Sequence, residues 1–254
     1  MPLVSVIMNC AYGERFLKEA IDSVFAQTHP DWEIVFVDNC STDGSAAIAT
    51  AYESTGRLRS VRTSERIPLY AARNVGVENA RGEFIAFLDV DDAWKPQMLE
   101  SLLARMRPGV SFVYGGYRYI DAAGRPLPTP MRRRRRGVVV NPQLWRSLIS
   151  IGCILLRTDI LRAETFDPTF NMLGDFELWL RLGTRHHVCD YVDDTLELSR
   201  IHGANGSLVL HDRWIIEERK LYRTFLMQHG LRYPMILAYI AKCEIRRLIG
   251  RHRM

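Results

Sequence analysis

The sequence predicts an α/β domain in which a mostly parallel central sheet is flanked by helices and followed by a helical C-terminal tail. Three short apolar runs, rich in β-branched and aromatic residues, are typical of buried strands; they span Val4 to Met8, Glu33 to Val37 and Glu83 to Leu88. Segments with helical periodicity separate these runs. Alternating strands and helices indicate a parallel sheet covered on both faces, with ligands beyond the carboxyl ends of its strands.

The helices are predicted from apolar spacing and from signals at their ends. Between the first two strands, apolar residues recur at i, i+4 and i+8 from Phe16 to Phe25, and this pattern stops before Thr28. A second helix should follow residues 41–43, any of which can cap it with a side-chain oxygen. A third helix is predicted over Tyr70 to Ala80.

The pattern changes in the second half of the chain. Ser111 to Pro130 predicts a strand, a hairpin-like turn at residues 121–124 and a loop rich in proline and arginine, which we interpret as an insertion outside the core. Apolar periodicity returns over Trp145 to Arg157 and Phe176 to Leu182. Residues 214–249 predict one or two amphipathic helices.

The composition is that of an ordinary globular protein. A hydrophobic fraction of 47% and a charged fraction of 25% exclude collagen-like, disordered and disulfide-scaffold classes. The five cysteines contain no C-x-x-C pair and no metal-ligand spacing, so neither a structural zinc site nor a disulfide framework is expected. The longest apolar stretches, Leu148 to Leu156 and Met235 to Ala241, are far shorter than the roughly 20 residues of a membrane span. Because no basic leader precedes the first apolar run, we expect a cytoplasmic protein.

The net charge of +5 is concentrated in two basic clusters. One is Arg132 to Arg136, and the other is the C-terminal segment that contains Arg246, Arg247 and residues 251–253. Beside the apolar residues of the C-terminal helix, they predict peripheral docking to an anionic membrane or a lipid-diphosphate acceptor. A solvated loop and a helix packed on the core are the alternative that the sequence leaves open. No aromatic platform accompanies the arginines, so nucleic acid is not an expected partner.

A cluster of three acids carries the strongest local signal. Asp89, Asp91 and Asp92 follow a buried apolar run, where repulsion between like charges favours a bound cation. Mg²⁺ or Mn²⁺ usually takes one or two protein carboxylates together with phosphate oxygens, so either ion would suit a diphosphate ligand here. Taken alone, the motif is equally compatible with a solvated acidic turn.

Several segments occur in the order in which they occur in family 2 glycosyltransferases. They are Val4-Ser5-Val6-Ile7-Met8, Gln27-Thr28, Val37-Asp38-Asn39-Cys40-Ser41-Thr42-Asp43-Gly44, Ala72-Arg73-Asn74-Val75-Gly76, Gly82 to Asp92, Phe166-Asp167 and Asp175 to Leu182. The chain therefore resembles this inverting family from about Val4 to Leu208. The resemblance implies a GT-A-type domain over residues 1–210, with a nucleotide-sugar-binding half at 1–107 and an acceptor-binding half at 108–210. Residues 211–254 then form a C-terminal helical extension.

The resemblance also implies roles for the polar residues that follow the strands. Residues implied to bind the nucleotide sugar are Asn9, Tyr12, Asp38, Asn39, Arg73, Asp89, Asp91 and Arg200, and those implied to hold the metal are Asp91, Asp92 and His202. Asp38 and Asn39 would lie near the base and Arg73 beside the base or diphosphate. The alternative to these roles is a purely structural one. Asp38 and Asn39 would then form a turn, Arg73 would pair with a surface glutamate, and His202 would be a structural histidine. A uracil base is favoured, and because Asn39 replaces the commoner aspartate, thymine and guanine stay open as alternatives.

On the acceptor side, the resemblance makes Asp175 the general base. Many relatives have glutamate before this aspartate, whereas Gly174 stands here, so a supporting partner is either missing or supplied elsewhere. The alternative is that Asp175 only caps the helix that follows it. Glu177 is expected to lie one turn into that helix and not to be catalytic.

The function predicted is inverting transfer of a hexosyl group from a nucleoside-diphosphate sugar, with a UDP-sugar favoured, to a hydroxyl of a saccharide or lipid-linked acceptor. One alternative is a sugar nucleotidyltransferase, a class with a Gly-rich basic loop after its first strand, which residues 9–14 do not resemble. The other is a catalytically silent nucleotide-sugar-binding module, against which the retained acids Asp89, Asp91 and Asp92 argue.

Overall fold

The computed structural model of the chain describes residues 1–129, 136–138, 149–203, 205, 211–230, 237 and 240–241. Within these residues one nine-stranded sheet carries helices on both faces. Its strands are β1 (Val4–Cys10), β2 (Trp32–Asp38), β3 (Leu58–Arg62), β4 (Phe84–Phe87), β5 (Ala93–Trp94), β6 (Phe112–Ile120), β7 (Gly137–Val138), β8 (Ile154–Arg157) and β9 (Val188–Arg200). The helices are α1 (Leu17–Phe25), α2 (Ser45–Glu53), α3 (Leu69–Asn79), α4 (Met98–Leu103), α5 (Thr158–Ala163), α6 (Gly174–Thr184) and α7 (His211–His229).

The strand order is β3-β2-β1-β4-β8-β6-β9-β5, and β7 pairs with β9. From β3 to β4 every pairing is parallel. Strand β8 runs antiparallel to both β4 and β6, and it joins the parallel part to the long parallel pair of β6 and β9. The chain leaves β1 on one side toward β2 and later returns to its other side as β4. In such sheets this reversal opens a crevice at the carboxyl ends of the strands.

Two apolar clusters cover the two faces of the sheet. Successive side chains of a strand point to opposite faces, so Ile7 of β1 joins one cluster while Val6 and Met8 join the other. The first cluster packs under α3, α6 and α7, and the second packs under α1 and α4. Because both faces are buried, the strands show continuous apolar runs, as the sequence predicts.

Most of the predicted elements are confirmed with small shifts at their ends. The three apolar runs form β1, β2 and β4, and the three helical patterns form α1, α2 and α3. The predicted capping region precedes α2, where the Asp43 carboxylate accepts the Ser45 N–H at 3.2 Å. The C-terminal helical pattern forms α7, and Gly230 follows it with a φ of 56°.

The interpretation of residues 111–130 as an insertion is wrong for their first part. Strand β6 lies between β8 and β9, and Phe112, Val113 and Tyr114 are buried. A Cβ at Gly115 would come within 2.7 Å of the Cys153 sulfur, so this strand is packed too tightly to be an appendage. Its short apolar run, interrupted by two glycines, gives no periodicity that separates a core strand from a loop strand.

None of the helices in the described part of the chain is long and apolar enough to cross a membrane. No disulfide bond joins any two of the four cysteines in that part, Cys10, Cys40, Cys153 and Cys189.

Candidate active site

A cleft of about 710 Å³ opens at the carboxyl ends of the parallel strands. Ala11 after β1, Asn39 after β2 and Asp89 after β4 line its floor, as expected for the crevice between β1 and β4. Residues of the loop before α6 and of the segment after β9 form its other walls. A second cavity of about 760 Å³ lies at the opposite, amino end of the strands, and none of the predicted site residues lines it.

Arg73 brings a buried positive charge into the cleft. Its guanidinium is 3% exposed and lies 2.7 Å from the carboxylate of Asp89, whose side chain is 39% exposed. The same guanidinium lies over the rings of Tyr70 and Phe87, at 5.1 and 5.8 Å from their centroids. Removing Asp89 would leave the buried guanidinium without its carboxylate partner, which is costly because a buried charge needs a partner. The ion pair therefore fixes α3 against the loop after β4.

Asp91 lies beside the segment that follows β9. Its Oδ2 atom is 3.0 Å from Nε2 of His202 and accepts a hydrogen bond from the side-chain amide of Asn205 at 3.2 Å. Burial and then the charge of Asp89 raise the pKa of Asp91, while the contact with His202 opposes this rise. Two neighbouring carboxylates that destabilise each other's charge are the expected surroundings of a cation.

Asp92 is turned toward β9 and is buried. Its Oδ1 atom accepts the backbone N–H of Arg200 at 2.6 Å. Burial and then the charge of Glu197 raise the pKa of Asp92 well above its ordinary value, and burial raises the pKa of Glu197 to about 7. This carboxyl pair therefore keeps a proton near neutral pH, and Asp92 anchors the end of β9.

The donor atoms suit a divalent cation only in part. Among the described residues, no group of three or more His, Cys, Asp or Glu side chains is placed to hold a metal ion. Asp91 nevertheless lines the cleft with a nitrogen of His202 3.0 Å from its carboxylate, and a bound cation would stabilise the charged form of Asp91, which burial and Asp89 disfavour. These residues fit Mg²⁺ or Mn²⁺ if phosphate oxygens complete the coordination, which is how Mg²⁺ is commonly bound.

The guanidinium of Arg200 is engaged by groups of the protein. It donates to the backbone oxygen of Asp91 at 2.9 Å, pairs with Glu19 at 2.7 Å and stacks 4.6 Å from the ring centroid of Phe16. Only 2% of its side chain is exposed, although the residue borders the cleft. Its contacts tie α1 to the segment that carries His202.

Asp38 and Asn39, at the end of β2, have different surroundings. The Asp38 carboxylate accepts the Ser41 N–H at 2.8 Å and forms an ion pair with Arg62 at 2.7 Å. Asp38 therefore stabilises a turn, and it is not among the residues that line the cleft. Asn39 lines the cleft, and its amide binds both the N–H and the carbonyl of Ile67. The asparagine thus holds the loop after β3 in place beside the cleft.

Asn9 and Tyr12 lie at and beyond the end of β1. The amide of Asn9 donates to the carbonyl of Leu69 at 3.3 Å. Tyr12 is 61% exposed, and the guanidinium of Arg66 lies 4.8 Å from its ring centroid. Arg66 itself lines the cleft and donates to the carbonyl of Ala11. Sequence reasoning missed this arginine because nothing in its loop distinguishes it from a solvated one.

Asp175 lies in the first turn of α6 and forms part of the cleft wall. Its Oδ1 atom accepts a hydrogen bond of 2.9 Å from the hydroxyl of Tyr70, and Leu173 is the N-cap residue of α6. Burial raises the pKa of this carboxyl, while the charge of Arg73 and the Tyr70 hydroxyl oppose the rise. Glu177 instead pairs with Arg181 at 2.8 Å and does not line the cleft.

Glu217 of α7 is a functional residue that sequence reasoning missed. Its carboxylate accepts the backbone N–H groups of Asn171, Met172 and Leu173 at 2.9, 2.8 and 3.1 Å. These residues immediately precede α6, so the helical extension holds the loop that leads to Asp175. In the sequence, Glu217 is one of several acids on an amphipathic helix, and no pattern singles it out. Other cleft residues that the sequence did not indicate are Tyr119, Asn171, Asn205 and Trp214.

Known proteins similar to this chain share both its motifs and its fold. A family model described as glycosyl transferase family 2 matches residues 5–164. TuaG of Bacillus subtilis (strain 168), named as a teichuronic acid biosynthesis glycosyltransferase, is 39% identical over 71% of this chain and 72% of its own length. WfgD of Escherichia coli, named a UDP-Glc:α-D-GlcNAc-diphosphoundecaprenol β-1,3-glucosyltransferase, is 28% identical over 78% of each chain.

Two solved structures have the same GT-A-like fold. Staphylococcus aureus TarS 1-349 in complex with UDP-GlcNAc aligns with a TM-score of 0.76 and 19% identity, over 95% of this chain and 71% of that one. Mannosyltransferase PcManGT from Pyrobaculum calidifontis, in complex with GDP-Man and Mn²⁺, aligns with a TM-score of 0.71 and 18% identity, over 96% and 69%. With the family model covering more than half of the sequence, the chain belongs to glycosyl transferase family 2.

Proposed function

We propose that this glycosyltransferase moves a hexosyl group from a UDP-sugar to a hydroxyl of a saccharide or lipid-linked acceptor, with inversion at the anomeric carbon. The observation that carries the proposal is the placement of two acid sets in one cleft. Asp89 and Asp91 lie at the carboxyl ends of the strands, whereas Asp175 lies on the wall formed by α6. A single displacement needs a base for the incoming hydroxyl and a charged clamp for the leaving group.

Asp175 is suited to the role of the base. A carboxylate in a partly desolvated site has a raised pKa, which makes it a stronger proton acceptor at neutral pH. It takes the proton of the acceptor hydroxyl while that oxygen attacks the sugar. No covalent intermediate is needed.

On the donor side, the chain supplies charge and shape. Asn39 and Arg66 line the part of the cleft where the base of the nucleotide would lie, Tyr12 packs against Arg66, and Arg73 holds Asp89 in the floor of the cleft. Asp91 and His202 would hold Mg²⁺ or Mn²⁺, which when bound would neutralise charge on the departing diphosphate. A UDP donor is supported by the UDP-Glc in the name of WfgD and by the UDP-GlcNAc complex of TarS.

A lipid-linked acceptor is supported by the diphosphoundecaprenol acceptor in the name of WfgD.

We place the enzyme in the cytoplasm, at the face of an anionic membrane, with Arg132 to Arg135 and the basic C-terminus as the docking surface. Those residues lie outside the described part of the chain. On α7, Ile216 is 67% exposed and Met227 is 87% exposed, and their spacing puts them on one helix face. These two exposed apolar side chains support peripheral contact.

The proposal is tested by replacing Asp175 with asparagine. Asp175→Asn keeps the size of the side chain and removes its basicity, so acceptor-dependent release of UDP should fall by about 10²-fold or more. The dissociation constant for UDP should stay within about twofold, since the change leaves donor contacts intact. Anomeric configuration of the product, read by NMR coupling constants, should be inverted.

The matched control is Glu177→Gln, which makes the same chemical change two residues later on α6 but outside the cleft. Turnover of this control should stay near that of the parent. Parent-like transfer by Asp175→Asn would show that the base lies elsewhere, and retained configuration would contradict the single displacement.

A further inference from the structure

Tyr70 fills the space beside the carboxylate of Asp175. It is the second residue of α3, and its ring is 2% exposed. The hydroxyl lies 2.9 Å from Oδ1 of Asp175 and 3.4 Å from the carbonyl oxygen of Met172. The carboxylate is both nearer and charged, and hydrogen bonds to ionised acceptors are the stronger ones. The single hydroxyl proton is therefore directed at Asp175.

The ring of Tyr70 occupies the place where a side chain at position 174 would begin. A Cβ at Gly174 would lie 2.5 Å from Cδ2, 2.6 Å from Cγ and 2.7 Å from Cε2 of this ring. On another side the ring packs on Phe166, with ring centroids 5.3 Å apart. A side chain at 174 would have to displace this ring, so the tyrosine and the glycine form a matched pair.

The start of α3 is also tied to the loop that leads into α6. The backbone N–H of Leu69 donates to Oδ1 of Asn171 at 3.0 Å. The same loop is held from the other side by the carboxylate of Glu217. These bonds keep the first turn of α3 and the first turn of α6 at a set separation, which is the separation that the Tyr70 hydroxyl spans.

We propose that Tyr70 is a positioning residue for Asp175: its hydroxyl orients the carboxylate and stabilises its ionised form, and Gly174 supplies the space for the ring. The inference rests on the proposed role of Asp175 as the base. It also answers a question that the sequence leaves open, since Gly174 stands where a supporting glutamate was expected. The support comes from α3 instead of the preceding residue.

The charged and polar groups that face Asp175 set the direction of the expected pH effect. Burial raises the pKa of Asp175; Arg73, the Tyr70 hydroxyl and the Phe176 N–H lower it, in that order, and Asp89 raises it. Burial and the charge of Asp175 hold the pKa of Tyr70 well above its ordinary value, so the tyrosine stays a donor. Without the hydroxyl, the pKa of Asp175 rises. Because a base acts in its ionised form, the acid limb of the rate profile then moves to higher pH.

Tyr70→Phe tests the hydroxyl while keeping the ring. We expect the acid limb of kcat to move up by about one pH unit, the size of effect given by one hydrogen bond to a charged group. On that limb kcat should fall about tenfold, and the dissociation constant for UDP should change by less than about twofold. Tyr52→Phe is the matched control, since its hydroxyl donates to the Asp22 carboxylate at 2.6 Å on the protein surface. It should leave the rate profile unchanged.

Gly174→Ala tests whether the Tyr70 ring needs the space beside position 174, and it keeps the Tyr70 hydroxyl. The added methyl group displaces the ring, so kcat should fall about tenfold or more. In a Tyr70→Ala background the methyl group meets no ring, and adding Gly174→Ala should then cause no further loss. Additive losses in this double-mutant cycle would overturn the pairing of the two residues.

A carboxyl ¹³C NMR titration reads Asp175 without any turnover. The resonance is identified by its absence in Asp175→Asn, and its midpoint should be higher in Tyr70→Phe than in the parent. An unchanged midpoint in a folded Tyr70→Phe protein would overturn the proposal. If the parent transferred no sugar from any UDP-sugar, the proposed function would fail, and the titration would still decide whether Tyr70 stabilises the charge of Asp175.

Discussion

At the scale of single residues, the acids of the cleft differ by their surroundings more than by their sequence motif. Asp89 pairs with Arg73, Asp91 contacts His202, and Asp92 is buried beside Glu197. Three acids within four positions therefore have three different tasks. Asp91 lines the cleft beside the imidazole of His202, so it is the best candidate for linking metal and nucleotide.

Asp91→Asn should uncouple metal binding from nucleotide binding. In the parent, we expect UDP to bind at least about tenfold more tightly with Mn²⁺ than with EDTA, a coupling of about 1.4 kcal/mol. In the variant, this ratio should approach one, because an amide is a weaker ligand for a hard cation. Calorimetry with and without Mn²⁺ measures both ratios. Equal affinities in the parent would contradict metal-assisted donor binding.

At the scale of secondary-structure elements, the site depends on contacts between elements distant in sequence. Helix α3 supplies Tyr70 and Arg73 to the two sides of the cleft. Helix α7 supplies Glu217, whose carboxylate binds three successive N–H groups ahead of α6. The segment that the family model matches ends at residue 164, so both Asp175 and Glu217 lie beyond it.

Glu217→Gln should loosen the loop that precedes Asp175. A glutamine has one acceptor oxygen and cannot accept all three N–H groups, so unfolding free energy should fall by about 2 kcal/mol. This corresponds to a melting temperature lower by about 5 °C. We also expect kcat to fall while the affinity for UDP is kept.

The control for this change is Glu53→Gln, which removes a charge from the end of α2, where the carboxylate accepts one N–H from Ser60. Its melting temperature should stay within about 2 °C of the parent. If both variants had the same melting temperature, the three hydrogen bonds to Glu217 would contribute no more to stability than the one hydrogen bond to Glu53.

At the scale of the whole molecule, the run of arginines at 132–136 lies in a different part of the sequence from the acids of the cleft. In the run of five arginines, Arg136 is already paired with the buried Asp190 at 2.8 Å, and Arg107 contacts the same carboxylate at 2.7 Å. Arg136 therefore has a structural task, and Arg132 to Arg135 remain for the proposed membrane docking.

Flotation with anionic liposomes tests this docking. The parent should float with vesicles containing about 30% anionic lipid at low salt and should be released at high salt, because each basic residue contributes about 1 kcal/mol. Replacing Arg132 to Arg135 with glutamine, with Arg136 kept, should reduce flotation without lowering the melting temperature. Failure of the parent to float at low salt would remove the membrane from the proposal.

The sequence by itself determined the fold class, the first four elements that alternate along the chain, and the acid cluster after β4. These are local features: period and capping are readable within a few residues, and motif order is retained along the chain. It also singled out Asp175 as a candidate base. It did not identify β9 as a strand or β6 as part of the core, because their partners are remote in sequence.

Only the tertiary structure decided how the candidate residues are supported. The hydroxyl of Tyr70 reaches Asp175 across 105 positions, and Asp91 meets His202 across 111. Asp38 and Arg200 lie in segments that resemble the family, but Asp38 forms an ion pair with Arg62, and Arg200 forms one with Glu19. Such contacts depend on which strand ends meet at one edge of the sheet, and that depends on the pairing of strands far apart in the chain. A single sequence records the residues and not these pairings, so the roles of Tyr70, Gly174 and Glu217 could be seen only in three dimensions.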